Sequence, residues 1–161
     1  MKKLTYILLA GIAVMLSACD GNKVNNAGEI NTKASLPESL NFTARGYQVI
    51  TSSINKKLGT MSTLYGNKQA LANAIAGSKD AMPGEEFALI TWKQQDDDRW
   101  FGAKIPGELK SVELIKTGPS VANLGLDYQC FEGKDLTPKP DTLHNAERIK
   151  YIFEQKPSVM P

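Results

Sequence analysis

The first nineteen residues constrain this chain most, because they separate a leader from the part that can fold. Residues 1–3 are basic, and residues 4–16 form an apolar run interrupted only by Thr5 and Gly11. A run of this length matches the core of a signal peptide, and it is shorter than the ~20 apolar residues that a membrane-spanning helix needs. We therefore predict that residues 1–18 are a cleaved signal peptide that takes no part in the fold.

The residues Leu16-Ser17-Ala18-Cys19 resemble the lipobox of bacterial lipoproteins, in which a branched apolar residue and two small residues precede the cysteine that accepts the lipid. The resemblance implies cleavage before Cys19, acylation of its thiol, and attachment to a cell membrane facing the periplasm. In enteric-type sorting, an aspartate directly after the cysteine, here Asp20, resembles a signal for retention at the inner membrane. The alternative is an ordinary secretory signal followed by an unmodified cysteine.

The segment after the cysteine has the composition of a tether. Residues 19–35 are rich in Asn, Gly, Ser and Lys, with only isolated aliphatic side chains. Such a segment buries too little apolar surface to order itself, so we predict a lipid-anchored flexible tether. The folded domain would then cover residues 36–161, an ordinary length for a single domain.

Charge excludes nucleic acid as a partner. The chain has 19 basic and 17 acidic residues, and Lys2 and Lys3 are lost with the predicted signal peptide. The mature chain is then formally neutral and contains no basic run, so it lacks the positive surface that binds phosphates. No segment after residue 18 is long and apolar enough to cross a bilayer, which leaves the lipid as the expected anchor.

The chain has two cysteines and one histidine. With Cys19 committed to the lipid, Cys130 has no partner for an internal disulfide bond. A nucleophilic pair of Cys130 and His144 is one hypothesis. We favour the alternative, in which Cys130 is a small, half-buried apolar residue near a strand.

Hydrophobic periodicity predicts an α+β domain with a mostly antiparallel sheet and flanking helices. The predicted strands are 47–54, 58–64, 87–92, 100–105 and 111–116. Residues 117–140 are rich in Gly and Pro and are predicted to be loop. We expect the helices to cover one face of this sheet.

Two helices are predicted from their capping residues. Asn67 is a good N-cap for a helix that Gly77 ends. Asp141 is the expected N-cap of a second helix, which Pro157 ends. Their apolar stripes are Ala70, Leu71, Ala74 and Ile75 in the first helix, and Leu143, Ala146, Ile149, Ile152 and Phe153 in the second.

The segment 91–107 contains two tryptophans on either side of a polar, acidic stretch. The aspartates at 96–98 lack the ligand spacing, glycine and distant glutamate of a calcium loop, which favours a solvated hairpin tip. We predict that Trp92 and Trp100 lie on adjacent antiparallel strands joined at 94–98. Both are expected to be core residues, with ligand contact as the alternative. A buried Trp100 would make its replacement by Ala cost roughly 3 kcal/mol or more.

Several blocks, in order, resemble the cytochrome P460 domain family. The blocks are 63–67 (TLYGN), the following helix with Ala70 and Ala74, 83–84 (PG) leading into 87–92 (FALITW), 100–106 (WFGAKIP) and 159–161 (VMP). The resemblance extends from Tyr47 to the C-terminus and implies a mostly antiparallel β domain with flanking helices. For haem-bearing members it also implies a c-type haem and redox chemistry on small nitrogen compounds.

The haem of that family does not carry over to this sequence. Thioether attachment requires Cys-x-x-Cys-His, whereas Cys130 is followed by Phe, Glu and Gly. The lysine that cross-links the family's haem cannot be assigned, with Lys93 and Lys104 as equal candidates. We predict no cofactor, although non-covalent haem on His144 stays open; a histidine at a helix start is more often simply exposed.

Two classes of function follow from these observations. The first is a non-catalytic module that binds a small molecule, a non-covalent haem or a protein partner, with Trp92, Trp100 and His144 as candidate ligand contacts. The second is a haem-dependent redox enzyme acting on small nitrogen compounds. We favour the first class, because one histidine and one free cysteine are a sparse supply of catalytic ligands.

Overall fold

The computed structural model describes residues 31–122, 124–140 and 144–158. The predicted signal peptide, Cys19, the predicted cap Asp141 and the block 159–161 therefore lie outside the described residues. A compact unit begins at Asn31. Asn31–Ser35, which composition assigned to the tether, contact this unit: the Asn31 side chain donates a hydrogen bond to the Pro106 carbonyl, and Ala34 packs against the core.

The described residues form one antiparallel sheet whose strands follow sequence order. The strands are β1 (Gln48–Asn55), β2 (Thr60–Gly66), β3 (Glu86–Asp96), β4 (Lys104–Thr117), β5 (Leu126–Glu132) and β6 (Thr137–Pro138). Helix α1 (Lys68–Ile75) connects β2 to β3, and helix α2 (Asn145–Phe153) follows β6. A short 3-10 helix, Glu38–Leu40, precedes β1. The predicted α+β class and antiparallel sheet are confirmed.

Helix α1 begins and packs where its sequence predicts. The Asn67 side chain accepts a hydrogen bond of 3.0 Å from the Ala70 amide, which confirms the predicted N-cap. Gly77 follows the helix with a φ of +73°, as predicted for its C-terminal end. A Cβ atom on Gly66 would lie 2.6 Å from Ile50 Cδ1 and 2.9 Å from Ala70 Cβ. The glycine therefore lets α1 pack directly on β1.

Both faces of the sheet are covered, whereas cover on one face was expected. On the first face, Ala88, Ile90, Trp92, Leu109 and Val112 pack against Leu40, Phe42 and Tyr47 of the segment before β1. On the second face, Leu64, Phe87, Leu89 and Ile115 pack against Ala70 of α1 and Ile152 of α2. The second cover comes from the segment before β1, whose short 3-10 helix Glu38–Leu40 is too short to give a periodic signal in the sequence.

The predicted strands 100–105 and 111–116 are wrong as separate elements, because β4 runs without interruption from Lys104 to Thr117. Pro106 lies inside this strand next to a register irregularity opposite Trp92 and Gln94, where a missing amide donor is tolerated. Trp100 lies in the turn between β3 and β4 instead of on a strand, and its side chain is exposed. The predicted pairing of its strand with that of Trp92 is therefore wrong.

The prediction of loop for 117–140 is also wrong in part, since β5 and β6 occupy this segment. The strand Leu126–Glu132 lies between Gly125 and Gly133, and these glycines favour a loop in a prediction from composition. Cys130 is half-buried in β5, as predicted. The aspartates at 96–98 lie at the end of β3 and in the turn that follows, which confirms the hairpin tip.

Candidate functional site

The sheet face that carries α2 changes from apolar to polar along its strands. One row across this face, Phe87, Ile115 and Tyr128, lies beneath the helices. The next row toward the hairpin turns is mixed and contains Leu64, Leu89, Glu113 and Cys130. The third row is polar and contains Ser62, Thr91, Ser111 and Glu132. The polar rows are left open as the floor of a groove.

This groove has a volume of about 460 Å³. Asn55 and Leu58 of the β1–β2 hairpin line one side, and Asn145, Arg148 and Tyr151 of α2 line the other. Small-molecule sites in proteins commonly have volumes of a few hundred Å³, so the size fits a small ligand.

A hydrogen-bonded cluster is fixed in the floor of the groove at Glu113. The carboxylate is only 4% exposed. Arg148 holds it with two bonds, Nε to Oε2 at 2.9 Å and Nη2 to Oε1 at 2.6 Å, and the Tyr128 hydroxyl donates to Oε2 at 2.8 Å. Bidentate hydrogen bonding of this kind fixes the orientation of both side chains.

The protonation states of this cluster follow from its contacts. The hydrogen bonds to Glu113 raise the pKa of Arg148 above its usual value, so the guanidinium stays charged. Burial, and then the hydrogen bond to Glu113, raise the pKa of Tyr128 well above its usual range. Tyr128 therefore remains a hydrogen-bond donor, and Arg148 remains a cation, around neutral pH.

Cys130 lines the same groove beside this cluster. Burial raises the pKa of its thiol, and the negative charge of Glu113 adds to the effect. The reactive form of a cysteine is the thiolate, which both causes disfavour. The groove therefore presents Cys130 as a neutral thiol, which argues against a nucleophilic pair with His144.

The remaining side chains of the groove include neutral hydrogen-bonding groups and groups of both positive and negative charge. Ser62 and Thr91 share a hydrogen bond of 3.0 Å between their hydroxyls. Lys139 donates to Glu132 at 2.6 Å. The charged residues that line the groove are three basic, Lys110, Lys139 and Arg148, and two acidic, Glu113 and Glu132. This nearly balanced, hydroxyl-bearing surface fits a small polar molecule.

The three candidate ligand contacts lie in different places. His144 lines the groove, but its side chain is 78% exposed, with Nδ1 at 3.6 Å from Glu147 Oε2. Trp92 is buried on the opposite face, where Nε1 donates to the Ala34 carbonyl at 3.0 Å; it borders a separate depression of about 330 Å³. Trp100 lies in the β3–β4 turn and does not line the groove. The structure thus places one of the three at this site.

Sequence reasoning missed Glu113, Tyr128 and Arg148. A signal for the pair was present, because Glu113 alternates with the buried Ile115 on β4 and Arg148 lies four residues before the buried Ile152 on α2. Opposite charges at inward positions of two elements indicate a buried ion pair. The signal for Tyr128 was lost with the unpredicted strand β5.

The donor set does not fit a covalently attached haem. Attachment through two thioether bonds needs two thiols, and Cys130 is the free cysteine among the described residues. The described ranges contain no group of three or more His, Cys, Asp or Glu side chains placed to hold a metal ion. They also contain no helix long and apolar enough to cross a membrane.

Comparisons with protein-family models and with curated proteins found no relative of this chain. No protein-family model matches the sequence, and no curated protein is significantly similar to it.

Proposed function

We propose that this chain is a membrane-tethered extracytoplasmic lipoprotein whose domain binds a small polar ligand in the groove between α2 and the β1–β2 hairpin. The observation that carries the binding proposal is the open polar end of an otherwise covered sheet face. The other end of the same face is filled by apolar side chains from both helices. At the polar end, the Glu113–Arg148–Tyr128 cluster lies beside hydroxyl groups above which the groove is open.

A binding role fits the chemistry of these residues better than catalysis does. The hydrogen bonds of Glu113 to Arg148 and Tyr128 occupy both of its carboxylate oxygens and hold the side chain in place. The thiol of Cys130 is held neutral. A preorganised set of donors and acceptors gives orientation and specificity to a bound ligand without a chemical step.

We also propose that the domain has a cytochrome P460-like fold, as the sequence blocks imply. The antiparallel sheet with helices α1 and α2 is consistent with this proposal. The alternative function, a haem-dependent redox enzyme acting on small nitrogen compounds, draws on His144 at the edge of the groove. A visible absorption spectrum of the purified protein separates the two, because a Soret band that His144→Ala removes would favour the enzyme.

The groove is tested by a thermal-shift screen of small polar molecules, followed by titrations on two matched variants. Thr91→Val removes a hydroxyl from the groove floor, where it bonds Ser62. Thr63→Val removes the hydroxyl that bonds Ser52 and does not line the groove. Loss of one hydrogen bond should weaken a groove ligand about fivefold in Thr91→Val only. Equal affinity in both variants for every hit would reject the groove as the site.

The anchor is tested at Cys19. We expect the native protein to begin at Cys19 and to carry acyl chains, as intact mass spectrometry would show. Cys19→Ala should leave the chain unprocessed or release it from the membrane. Native protein that retains residues 1–18 would refute the lipoprotein proposal. In a bacterium with enteric-type sorting, Asp20 predicts recovery in the inner-membrane fraction.

A further inference from the structure

The turns that join consecutive strands of the sheet lie together at one end of it. Because the strands are antiparallel and in sequence order, the β1–β2 turn (56–59), the β3–β4 turn (97–103) and the β5–β6 turn (133–136) lie at the same end. The register agrees, since Thr60 pairs with Lys93 and Ser111 pairs with Glu132. We call this surface the turn end.

Large apolar side chains are exposed at the turn end. Phe101 has 110% of its reference surface exposed, Trp100 has 69% and Leu58 has 64%. Adjacent exposed aromatics on a hairpin tip contribute nothing to the core, and exposed apolar clusters mark interaction surfaces. Tryptophan in particular favours the boundary between water and lipid, because its ring is apolar and its N–H is polar.

The chain enters the domain beside this same hairpin. The Asn31 side chain donates a hydrogen bond of 2.5 Å to the Pro106 carbonyl. Pro106 pairs with Gln94, and two residues nearer the tip Lys104 pairs with Asp96. Cys19 precedes Asn31 by only twelve residues, which span at most roughly 40 Å. A lipid on Cys19 would therefore hold the turn end within reach of the membrane.

The turn end has a small positive formal charge, because its three turns contain four basic residues, Lys56, Lys57, Arg99 and Lys134, and three acidic residues, Asp97, Asp98 and Asp135. Lys56 and Lys57 lie exposed in the β1–β2 turn beside Leu58. In the β3–β4 hairpin, Asp96 forms an ion pair with Lys104, and Asp97 with Arg99. Basic residues next to exposed apolar side chains suit the phosphate-bearing surface of a bilayer.

We propose that Trp100 and Phe101 insert into the headgroup region of the membrane to which the lipid tethers the domain. The inference rests on the proposed lipid anchor. The hairpin then acts as a second contact, which fixes the orientation of the domain where the lipid alone would leave it free to rotate. Leu58 belongs both to the turn end and to the groove wall, so this contact places one wall of the groove at the membrane surface.

Tryptophan fluorescence tests the insertion directly, because the chain has only two tryptophans and Trp92 is buried. A Trp92→Phe variant of the full, acylated protein reports on Trp100 alone. It is reconstituted into phosphatidylcholine vesicles whose acyl chains carry bromine atoms near the headgroups. We expect the emission of Trp100 to move to shorter wavelength and to be quenched by the bromine atoms.

Matched replacements show whether the tip itself drives insertion. Phe101→Ser, in the Trp92→Phe background, should lower the equilibrium constant for insertion about tenfold, since it withdraws one aromatic ring from lipid. Val121→Ser removes an exposed apolar side chain from the β4–β5 connection, at the opposite end of the sheet, and should leave the quenching unchanged.

The outcomes separate this inference from the anchor on which it rests. Protein that floats with the vesicles while Trp100 stays water-exposed and unquenched would overturn the insertion and leave the anchor standing. Acylated protein that fails to float would overturn both. An emission shift that depends on protein concentration without lipid would assign the tip to a second copy of the chain, and would also overturn the proposal.

Discussion

Single residues in the groove are held by strong but costly interactions, of which the Glu113–Arg148 pair is the clearest. A carboxylate so little exposed is stable as an ion only while its partners compensate for lost water. Arg148→Met removes the main partner and should lower the free energy of unfolding by about 2 kcal/mol, measured by urea denaturation. We place the loss below the roughly 3–5 kcal/mol expected for a fully buried pair, because 41% of the Arg148 side chain is exposed.

Two further variants control for the meaning of that loss. Lys79→Met breaks a solvent-exposed ion pair with Glu154 at 3.8 Å and should leave stability unchanged. Glu113→Gln combined with Arg148→Met removes both charges and should be more stable than Arg148→Met alone. A single Arg148→Met variant as stable as the wild type would contradict the assignment of a buried pair.

Tyr47 should make the stability of the fold decrease at alkaline pH. Burial, followed by its hydrogen bond to Glu86, raises the pKa of Tyr47 to about 12, while an unfolded tyrosine titrates near 10. The hydroxyl of Tyr47 loses its proton at a higher pH in the native state than in the unfolded state. Its contribution to the free energy of unfolding is therefore complete below about pH 10 and is lost as the pH rises through about 12. The unfolding free energy should fall in this window, less steeply in Tyr47→Phe. Identical slopes by urea denaturation would contradict the role of Tyr47.

Residue-scale features could be predicted from the sequence where they depend on neighbours along the chain. The Asn67 cap and the Gly77 helix end are of this kind, because each is decided within one helical turn. The Glu113–Arg148 pair joins residues 35 positions apart. Its prediction requires both inward faces to be known and the strand and helix to be brought together.

At the scale of elements, the β3–β4 hairpin shows how composition misleads. The sequence predicts separate strands at 100–105 and 111–116, with Trp100 on the first of them. In the structure, Pro106 and Gly107 lie within the continuous strand β4, and Trp100 lies in the turn before it. A Cβ on Gly107 would lie 3.1 Å from the Lys93 carbonyl oxygen, so glycine avoids a tight contact at this position inside the strand. An irregular strand can thus accept residues that usually end one, which local preference does not reveal.

The two tryptophans of this hairpin should differ sharply in their effect on stability. Trp92 is 8% exposed and packs in the core, so Trp92→Ala should cost about 3 kcal/mol or more. Trp100 is 69% exposed, so Trp100→Ala should change stability by no more than about 0.5 kcal/mol. This replaces the large effect expected of a buried Trp100. Chemical denaturation of both variants checks the contrast, and equal losses would contradict the exposed position of Trp100.

On the scale of the whole molecule, the sheet is enclosed from both sides by segments of different kinds. Two helices cover one face, and the segment before β1 covers the other. The class of fold could be predicted because strand and helix periods differ clearly in the sequence. The cover formed by the segment before β1 could not be predicted, because Leu36, Leu40 and Phe42 are too few to define a helix or a strand and their burial depends on a sheet assembled from later residues.

The start of the folded domain is the last property to test, because composition places it at Leu36 and the contacts place it at Asn31. A shortened chain beginning at Leu36 lacks Ala34, whose carbonyl accepts the Trp92 Nε1–H bond. The buried indole N–H then loses its acceptor, so this chain should be less stable than one beginning at Asn31 by about 2 kcal/mol in urea denaturation. In a Trp92→Phe background, which has no such N–H, the same shortening should cost less. Equal stability of the two chains would place Asn31–Ser35 outside the cooperative unit, whereas an equal loss in both backgrounds would assign their effect to packing alone.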